Sequence, residues 1–408
     1  MARTSNRPAG PPVFGHSDAT HAFWRRAIRE ARSAGAVTPF YLFDPEPVAA
    51  TLGRLDALDL GRPALHWFST KTQPLRPLLE WWRRQNRPAE VVSEAEFHLV
   101  LAAGFGIDAV LINGPAKHRW LPAVSQPGLR VNFDSLGELN ALLPLAQRHR
   151  WRIGLRLCTG EEFDTEFPES PTQFGMTPDE AAIAVRRLRR AGLEVETLHF
   201  HLRTQVADAE CYRRALTDVA AFAAMARLQP LFLDLGGGWP ARHTLSRGGK
   251  RLDAGFSAES FALVVRQSLK WFPSVREVWL ENGRHLTAGS GVLAVSVLDV
   301  KERRGLRQLI CDGGRTLHAL VSLWEQHELL PLVRRSGPLT RTACYGPTCM
   351  AFDQLVRRDL PRGLRVGDTL IWLEAGAYHL PWETRFSHGN AGIWWREGGR
   401  ITPVRPRE

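Results

Sequence analysis

The stretch LFLDLGGGWP, residues 231–240, ends an apolar run of strand length in three consecutive glycines, and a proline closes it. An apolar run bounded by glycine and proline predicts a buried strand that stops before a loop. Because glycine has no Cβ, the backbone N–H groups of Gly236, Gly237 and Gly238 can approach an anion closely. Taken alone, three glycines are also compatible with a flexible turn. With a strand before them, they predict an anion site, most simply for phosphate.

A strand-then-helix alternation extends on both sides of this stretch. From about residue 38 to about residue 280, short apolar runs alternate with segments of helical periodicity, in about eight units. The predicted strands lie at residues 40–43, 65–69, 91–92, 109–112, 129–133, 151–157, 198–202, 231–235 and 278–280. This alternation predicts an α/β fold built on a parallel (β/α)8 TIM-type barrel, whose active sites lie at the carboxyl ends of the strands.

The character of the sequence changes after about residue 288. The segment 292–300 is rich in valine and leucine, and residues 309–311 and 369–373 also read as strands, which predicts a β-rich C-terminal domain. We therefore divide the chain into three parts. These are a Pro/Ser/Gly-rich N-terminal segment at 1–37, partly mobile and able to join the β-rich domain, a barrel at 38–287, and the β-rich domain at 288–408.

Composition is that of an ordinary globular protein. The 408 residues are 44% hydrophobic and 23% charged, and no apolar run approaches the roughly 18 residues of a membrane span. The five cysteines have no metal-type pair spacing, and no apolar leader follows the charged N-terminus. These features predict a cytoplasmic protein with reduced thiols, no membrane partner and no metal site.

The net charge of +11 raises the question of nucleic-acid binding. The arginines are spread along the chain, for example at 148–152, 186–190 and 334–335, without a basic stripe that interleaves aromatic residues. A nucleic-acid surface requires such clustering. We therefore expect no specific nucleic-acid partner, and the charge predicts only weak binding to polyanions.

Lys71 is the first residue that suggests covalent chemistry. It closes the run LHWFSTK at residues 65–71 and would lie at the barrel mouth. Partial desolvation there lowers the pKa of an amine, which suits a lysine that forms a Schiff base. A surface lysine is the plain alternative, but this chain otherwise carries its positive charge mostly on arginine. A lysine in this place therefore suggests that a deprotonatable amine is needed.

Two further strand ends carry titratable pairs. His199 and His201 lie two residues apart and would share one face of a regular strand, so that one is structural and the other reaches the barrel mouth. Glu281 and Arg284 follow the predicted strand at 278–280. A carboxylate and a guanidinium three residues apart could serve two ends of one cofactor.

These residues carry a resemblance to a known family. Over residues 38–390, in collinear order, the chain resembles the decarboxylase branch of the alanine-racemase-like pyridoxal-phosphate enzymes, which holds ornithine, arginine and diaminopimelate decarboxylases. The matching barrel motifs are FSTK at 68–71, Glu90 with SEAE at 93–96, HLRT at 201–204, GGG at 236–238 and ENGR at 281–284. Further along, GPTC at 346–349 and GAY at 376–378 resemble the family's cysteine and tyrosine motifs.

The resemblance implies a role for each of these residues. It makes Lys71 the Schiff-base lysine of pyridoxal 5′-phosphate, stacks His201 on the pyridine ring and sets Glu281 against the ring nitrogen. The cofactor-binding set that it implies is completed by Thr204, Gly236, Gly237, Gly238, Gly283, Arg284 and Tyr378, with the three glycines, Arg284 and Tyr378 on the phosphate. It also implies a homodimer with shared active sites, in which Cys349 and Met350 complete the site of the partner.

The choice between decarboxylation and racemisation depends on Glu281. A carboxylate beside the ring nitrogen keeps it protonated, so that the ring can absorb the carbanion left by carbon dioxide. In the racemase branch of the family that this chain resembles, the pattern instead has an arginine at that nitrogen and a tyrosine as the base. Glu281 and the Cys349 motif therefore favour an amino-acid decarboxylase, with Cys349 as the general acid that protonates Cα. An amino-acid racemase and a non-catalytic regulatory homologue are the alternatives, and retention of Lys71 and Cys349 argues against the second.

The chain departs from the family pattern around the substrate. Met350 stands where the diamine-forming enzymes and diaminopimelate decarboxylase carry Asp or Glu, which binds a distal ammonium group. Such a charge-assisted bond contributes roughly 1.5–3 kcal/mol, so we expect free ornithine, lysine and arginine to be poor substrates.

Arg315 resembles an arginine that holds a substrate carboxylate, and Glu325 resembles the acid of an aromatic–acid pair. A solvated arginine and a helix-surface glutamate are the alternatives. Arg203 and Thr204 replace Gly and Ser, so that Arg203 either crowds the phosphate or meets a substrate anion.

Together these departures favour an amino acid, or an amino-acid-like biosynthetic intermediate, with a remote carboxylate or amide. The sequence leaves open whether that substrate is free or carried by another protein.

Overall fold

The computed structural model describes residues 14–163 and 169–408. Within these ranges, every helix is too short or too polar to span a bilayer. Of the N-terminal segment that was predicted to be partly mobile, residues 1–13 lie outside the described residues, and a helix begins at Asp18.

The secondary-structure elements are numbered here in chain order. The strands are β1 (Phe40–Phe43), β2 (Ala64–His66), β3 (Phe68–Ser69), β4 (Ala89–Val91), β5 (Val110–Ile112), β6 (Arg130–Phe133), β7 (Arg152–Arg156), β8 (Val195–His199), β9 (Phe232–Asp234), β10 (Leu245–Ser246), β11 (Glu277–Leu280), β12 (Gly291–Arg303), β13 (Leu306–Cys311), β14 (Glu325–Gln326), β15 (Leu329–Pro331), β16 (Leu339–Tyr345), β17 (Gln354–Pro361), β18 (Thr369–Trp372), β19 (Gly392–Glu397) and β20 (Arg400–Arg405). The α-helices are α1 (Asp18–Ser33), α2 (Glu46–Asp56), α3 (Arg76–Arg84), α4 (Glu94–Ala102), α5 (Leu136–His149), α6 (Pro178–Arg190), α7 (Glu210–Met225), α8 (Ala258–Ser268), α9 (Arg284–Thr287), α10 (Ala319–Leu323) and α11 (His379–Trp382). Short 3-10 helices lie at Thr70–Thr72, Ile107–Ala109, Lys117–Arg119, Leu121–Val124, Leu269–Trp271 and Ala288–Ser290.

The chain divides into two compact units. The barrel unit contains Pro47–Ala241 and Asp253–Thr287, and the β-rich unit contains the described residues up to Glu46, Arg242–Leu252 and Ala288–Glu408. The chain therefore starts in the β-rich unit, crosses to the barrel, returns for a short insert and finishes in the β-rich unit. The barrel unit begins at Pro47 rather than at 38, and it lacks the insert that the sequence analysis had kept within it.

The barrel unit is built on one parallel sheet with the order β2-β11-β9-β8-β7-β6-β5-β4-β3. β2 and β3 are two halves of one strand, interrupted at Trp67. The Trp67 N–H donates to the carbonyl oxygen of Leu280 at 2.8 Å, and the Phe68 N–H donates to that of Pro88 at 3.0 Å. Eight strand positions therefore complete the circuit, as the alternation of apolar runs and helical segments predicted.

β1 lies in a different sheet from the one predicted. Its four residues are buried, and it pairs antiparallel with β12 and parallel with β19, both in the β-rich unit. A short, wholly apolar run indicates a strand buried on both faces, but it does not indicate which sheet contains that strand. The assignment of this strand to the barrel was therefore wrong.

The β-rich unit contains a second sheet with the order β17-β16-β13-β12-β1-β19-β20, and β18 pairs with both β12 and β15. The β1–β19 and β13–β16 pairs are parallel, and the other pairs of this sheet are antiparallel. This confirms the predicted β-rich region. Two-residue strands β10 and β14 form a small antiparallel pair of their own.

Helix α1 covers one face of this sheet, and the sequence analysis did not predict it. Its buried residues are Trp24, Ala27, Ile28 and Ala31, which share a hydrophobic cluster with Phe40 of β1 and residues of β12 and β18. Their i, i+3, i+4, i+7 spacing is that of an amphipathic helix, so the signal was present in the sequence. Ser17 caps the helix by accepting a hydrogen bond from the Thr20 N–H at 3.2 Å.

Candidate active site

Lys71 lies in the 3-10 turn that directly follows β3, at the carboxyl end of a barrel strand. Its Nζ is 3.4 Å from both carboxylate oxygens of Glu90, which is fully buried in β4. The Ser69 hydroxyl donates to Glu90 Oε2 at 2.8 Å and so orients the carboxylate. The Lys71 side chain is 36% exposed, and its amine lies beside the buried acid.

Two buried carboxylates, Asp234 at the end of β9 and Glu281 after β11, form the acidic centre of this face. Burial raises the pKa of Asp234 to about 7. Burial and the neighbouring charges of Asp234 and Glu90 raise the pKa of Glu281 well above its ordinary value. The pair is therefore short of positive charge, and a protonated group placed beside Glu281 would relieve the repulsion.

A chain of amides holds this acid pair in place. Asn113, which follows β5, donates from Nδ2 to Glu281 Oε1. Asn132 of β6 directs its Nδ2 toward Asn113 Oδ1 at 2.9 Å and Asp234 Oδ2 at 3.1 Å. Both asparagines are buried, so the network is fixed by strands rather than by loops. These four residues come from four different strand ends, as a barrel of parallel strands allows.

The two histidines of the strand-end pair have different surroundings. β8 ends at His199, so His201 lies beyond the strand. Burial lowers the pKa of both, with contributions from Arg156 and Lys71, so both rings are neutral. His199 Nε2 is 3.9 Å from Glu281 Oε2. His201 Nδ1 accepts a hydrogen bond from the Gly237 N–H at 3.1 Å, which fixes its tautomer and ring orientation.

The three glycines after β9 are required by close backbone approaches. A Cβ on Gly237 would lie 2.4 Å from the carbonyl oxygen of Glu281, and one on Gly238 would lie 2.5 Å from that of Arg203. Gly236 and Gly238 also have positive φ, at +63° and +90°. The sequence analysis expected all three N–H groups to face an anion. Instead, the Gly236 N–H donates to Asp234 Oδ1 at 3.1 Å, and the Gly237 N–H donates to His201. Of the three glycine N–H groups, that of Gly238 is the one without a partner among the described residues.

Arg203 and Thr204 line a cavity of about 440 Å³ together with His201, Arg156 and Glu162. Arg203 is engaged within the barrel unit: its Nη2 donates to Cys211 Sγ at 2.8 Å, and its Nη1 lies 3.3 Å from Glu161 Oε2. Its guanidinium also lies 4.5 Å from the centre of the Phe163 ring. These contacts account for Arg203 without a substrate anion.

The segment Glu281–Arg284 adjoins the turn that carries Lys71. A Cβ on Gly283 would lie 1.9 Å from Thr72 Oγ1, so only glycine fits there. Arg284 begins the short helix α9. Asn282 stands where the family pattern has proline; it is buried, and its side-chain oxygen and nitrogen have no hydrogen-bond partner among the described residues.

In the β-rich unit, Cys349 lies in an exposed loop after β16. The buried Asp353 ties this loop to the Arg315 loop. Its Oδ2 accepts hydrogen bonds from the Thr348 N–H at 3.1 Å and hydroxyl at 2.6 Å, and its Oδ1 accepts one from the Arg315 N–H at 2.7 Å. Gly314 and Gly346 pack so tightly on this carboxylate that a Cβ on either would lie 2.3 Å from an oxygen. The structure therefore brings Arg315, Cys349 and Met350 into one pair of loops.

The remaining predicted residues of this unit lie apart from those loops in the sequence. Tyr378 has a left-handed conformation, with φ 64°, immediately before α11. Glu325 is neither on a helix nor at the surface: it is a buried residue of strand β14, and its Oε2 lies 3.0 Å from His327 Nε2. The helix-surface alternative for Glu325 is therefore wrong.

The sequence analysis did not identify Asn113, Asn132, Asp234 or Asp353 as site residues. Asp234 interrupts an apolar run directly before the three glycines, and Asp353 follows Cys349 by four positions, so both had a readable signal. Asn113 and Asn132 are single polar residues at the ends of predicted strands, and such residues have no distinctive pattern until the barrel brings them together.

A family profile described as "Pyridoxal-dependent decarboxylase, pyridoxal binding domain" matches residues 55–288. Diaminopimelate decarboxylase from Deinococcus radiodurans is 29% identical over 364 residues, which cover 87% of this chain and 88% of the relative. The L-glutamyl-[BtrI acyl-carrier protein] decarboxylase of Niallia circulans is 27% identical over 367 residues, covering 84% of each chain.

Among solved structures, diaminopimelate decarboxylase from Helicobacter pylori, complexed with L-lysine, superimposes with a TM-score of 0.81. It is 22% identical, and the match covers 93% of this chain and 96% of that one. At this level of identity the likeness establishes the fold.

Proposed function

The chain belongs to the pyridoxal-dependent decarboxylases, and from that premise we propose that it decarboxylates an amino acid whose far end carries a carboxylate or amide rather than an ammonium group. Like its relatives, it is a carboxy-lyase, and its cofactor is pyridoxal phosphate. The proposal therefore concerns the substrate and the roles of individual residues. The tie that Asp353 makes between the loops of Arg315 and Cys349 is the observation that supports it most directly.

The residues of the barrel face fit this cofactor. When bound, pyridoxal phosphate supplies an electron sink for the electron pair that is released as the carboxylate leaves. Lys71, whose side chain is partly exposed, would hold the aldehyde carbon through a Schiff base. Arg284, Thr204 and the Gly238 N–H would hold the phosphate, while Gly236, Gly237 and Gly283 allow the close backbone approach that their surroundings require.

The acid pair of the barrel has a defined task in this proposal. Glu281 would stand opposite the pyridine nitrogen and keep a proton on it, because burial beside Asp234 makes a second bare negative charge costly. Asn113 and Asn132 fix the geometry in which that proton is shared. The neutral ring of His201 offers a flat face for stacking, with its orientation set by Gly237.

The β-rich unit would supply the proton donor and the specificity. We assign Cys349 the delivery of a proton to Cα after carbon dioxide leaves. Its exposure suits a site that is completed across a homodimer, in which a second copy of the chain contributes Cys349 and Met350. Because the Met350 thioether cannot bind an ammonium group, the Arg315 guanidinium would be the charged group of this loop pair that selects a remote carboxylate.

A carbon-dioxide-release screen of the holoenzyme tests this substrate class. The panel contains glutamate, aspartate, 2-aminoadipate and glutamine on one side, and ornithine, lysine, arginine and diaminopimelate on the other. We expect kcat/KM for the best carboxylate or amide substrate to exceed that for ornithine and lysine by on the order of tenfold to a hundredfold. Turnover of ornithine or lysine as fast as any other member of the panel would contradict the proposal.

A second candidate is an amino acid carried on an acidic carrier protein. The relative from Niallia circulans is named for such a substrate, and the net charge of +11 would attract an acidic partner. The experiment compares free L-glutamate with a glutamyl group loaded on an acyl-carrier protein, at low and high salt. A preference for the loaded form that weakens with salt would support this candidate, and equal use of both forms would remove it.

A further inference from the structure

Three histidines meet in the interior of the β-rich unit. His318 precedes α10, His327 follows β14, and His379 is the first residue of α11; all three are buried. One ligand atom from each lies within 4.8 Å of those of the other two. The cluster plays no part in the function proposed above.

The closest pair of these imidazoles has the nitrogen spacing of a metal centre. His318 Nδ1 and His379 Nδ1 are 3.3 Å apart. Two nitrogens bound to one tetrahedral ion, with bonds of about 2.0–2.1 Å, lie roughly 3.3 Å from each other. The three ring centres are 4.3, 5.2 and 5.5 Å apart, and two of the three ring pairs are close to perpendicular. The rings therefore converge rather than stack.

The hydrogen bonding of His327 also indicates a ligand. Its Nε2 lies 3.0 Å from Glu325 Oε2, and this carboxylate fixes the tautomer in which Nδ1 carries no proton. His327 Nδ1 is buried and has no hydrogen-bond partner among the described residues. A carboxylate that accepts from the outer nitrogen of a histidine is the usual support of a metal-bound imidazole.

A core of neutral histidines without a metal ion is the alternative. One hydrogen bond between His318 and His379 would satisfy one nitrogen of each ring and leave His327 Nδ1 without a partner. Buried polar atoms without partners are uncommon in native interiors, so this alternative explains the cluster less well. Arg358 also lies beside the cluster, because its Nη1 donates to the carbonyl oxygen of His327 at 2.8 Å, while the Glu325 carboxylate contacts the ring of the same histidine.

We propose that His318, His327 and His379 bind a divalent transition-metal ion of the zinc class, with Glu325 as the residue that positions His327. Imidazole nitrogens suit zinc and its neighbours in the first transition series. Because the ligands are buried, the ion is structural: it holds the start of α10, the end of β14 and the start of α11 together. The sequence analysis expected no metal because these ligands are far apart in the chain and have no pair spacing.

The test measures metal in the full-length holoenzyme, purified from cells grown with added zinc and desalted without chelator. We expect about one equivalent of metal per chain by mass spectrometry. Growth with cobalt should give the visible absorption bands of tetrahedral Co²⁺. Removing the metal with a strong chelator should lower the Tm by on the order of 3–5 °C, and re-adding zinc should restore it.

Variants separate this cluster from other sources of metal. His327→Gln and His379→Gln should lose the ion, whereas His388→Gln, which alters an exposed histidine of the same unit, should retain it. Cys349→Ser should also retain it, which excludes binding by the exposed thiol. Glu325→Gln should weaken zinc affinity by about 10–100-fold without abolishing binding.

The outcome of the wild-type measurement does not depend on whether a variant folds. A wild-type protein that carries no metal above background, and whose Tm does not respond to chelator or zinc, overturns the proposal. A second outcome also overturns it: if His388→Gln or Cys349→Ser loses as much metal as His327→Gln does, relative to the wild type, the ion is not bound specifically by this cluster.

Discussion

The barrel face and the Cys349 loop pair carry the two parts of the proposed chemistry, and they are built in opposite ways. In the barrel, Glu90, Asp234 and Glu281 are buried at strand ends and are linked to other buried groups. In the loop pair of the β-rich unit, the anchor Asp353 is buried, while Cys349 is exposed and Met350 is half-buried. The residues proposed to hold the cofactor therefore have little freedom to change, whereas those proposed to contact the substrate lie on a loop.

This difference bears on the departure from the family pattern at position 350. Replacing Glu281 would remove the hydrogen-bond acceptor of Asn113 and the carboxylate beside His199. Replacing the residue at 350 disturbs only a loop position, provided that Asp353 still holds the loop. A new substrate is thus most easily reached through the loop, and the following predictions test that division.

The largest effect is expected at Lys71. Lys71→Ala should lower carbon dioxide release by at least on the order of a thousandfold, because the proposed covalent link to the cofactor is lost. Lys71→Arg is the informative companion, since it keeps a positive charge beside Glu90 but cannot form a Schiff base. Lys270→Ala, at an exposed lysine of the same unit, is the control and should leave the rate unchanged. An active Lys71→Arg variant would remove the covalent role.

Cys349→Ala is expected to have the next largest effect. Loss of the proposed proton donor should lower kcat by on the order of a hundredfold to a thousandfold, with little change in stability because the thiol is exposed. Cys344→Ala is a matched control for a cysteine of the same unit. Burial raises the pKa of Cys344 to about 12, so its thiol is inert, and its replacement should lower the Tm more than the rate. Unchanged kcat in Cys349→Ala would contradict the assignment.

Met350→Glu should change specificity rather than rate. A carboxylate at this position restores an acceptor for a distal ammonium group, and it should raise kcat/KM for ornithine or lysine by about 10–100-fold. Met350→Gln has a similar size and no charge, so it controls for shape. If both variants change specificity alike, charge at position 350 does not select the substrate.

The smallest effect concerns the acid pair in cofactor-free protein. Asp234 keeps its proton in the folded state up to about pH 7 but loses it near pH 4 when unfolded, so the folded state binds the extra proton between these values. The free energy of unfolding should therefore fall as pH rises from 4 to 7, by at most about 1.4 kcal/mol per pH unit from this residue. Asp234→Asn should reduce the slope, and Glu194→Gln, at an exposed position, should not. An unchanged slope in Asp234→Asn would show that this pair is not the source.

The sequence predicted the strands of the barrel, but it could not predict the contacts that join distant residues in either unit. The apolar runs of the barrel predicted its strands, because burial on both faces leaves a continuous hydrophobic signal. The pairing of Asp353 with the Arg315 N–H joins residues 38 positions apart, and a carboxylate has no sequence signal for a backbone partner. The deficit of positive charge around Glu281 could not be predicted either, since it depends on three carboxylates that only the closed barrel brings together.

The placement of β1 has a consequence for protein synthesis. This fully buried strand is made at the start of the chain, but its partners β12 and β19 are made some 250 and 350 residues later. At about 5–20 residues per second, an apolar segment would wait roughly 20 to 70 seconds on the ribosome for its second neighbour. The barrel can fold during this interval, whereas the β-rich unit cannot close until translation is almost complete. Premature termination anywhere before β19 would therefore release a chain with an exposed hydrophobic edge, which makes it a substrate for chaperones and proteases.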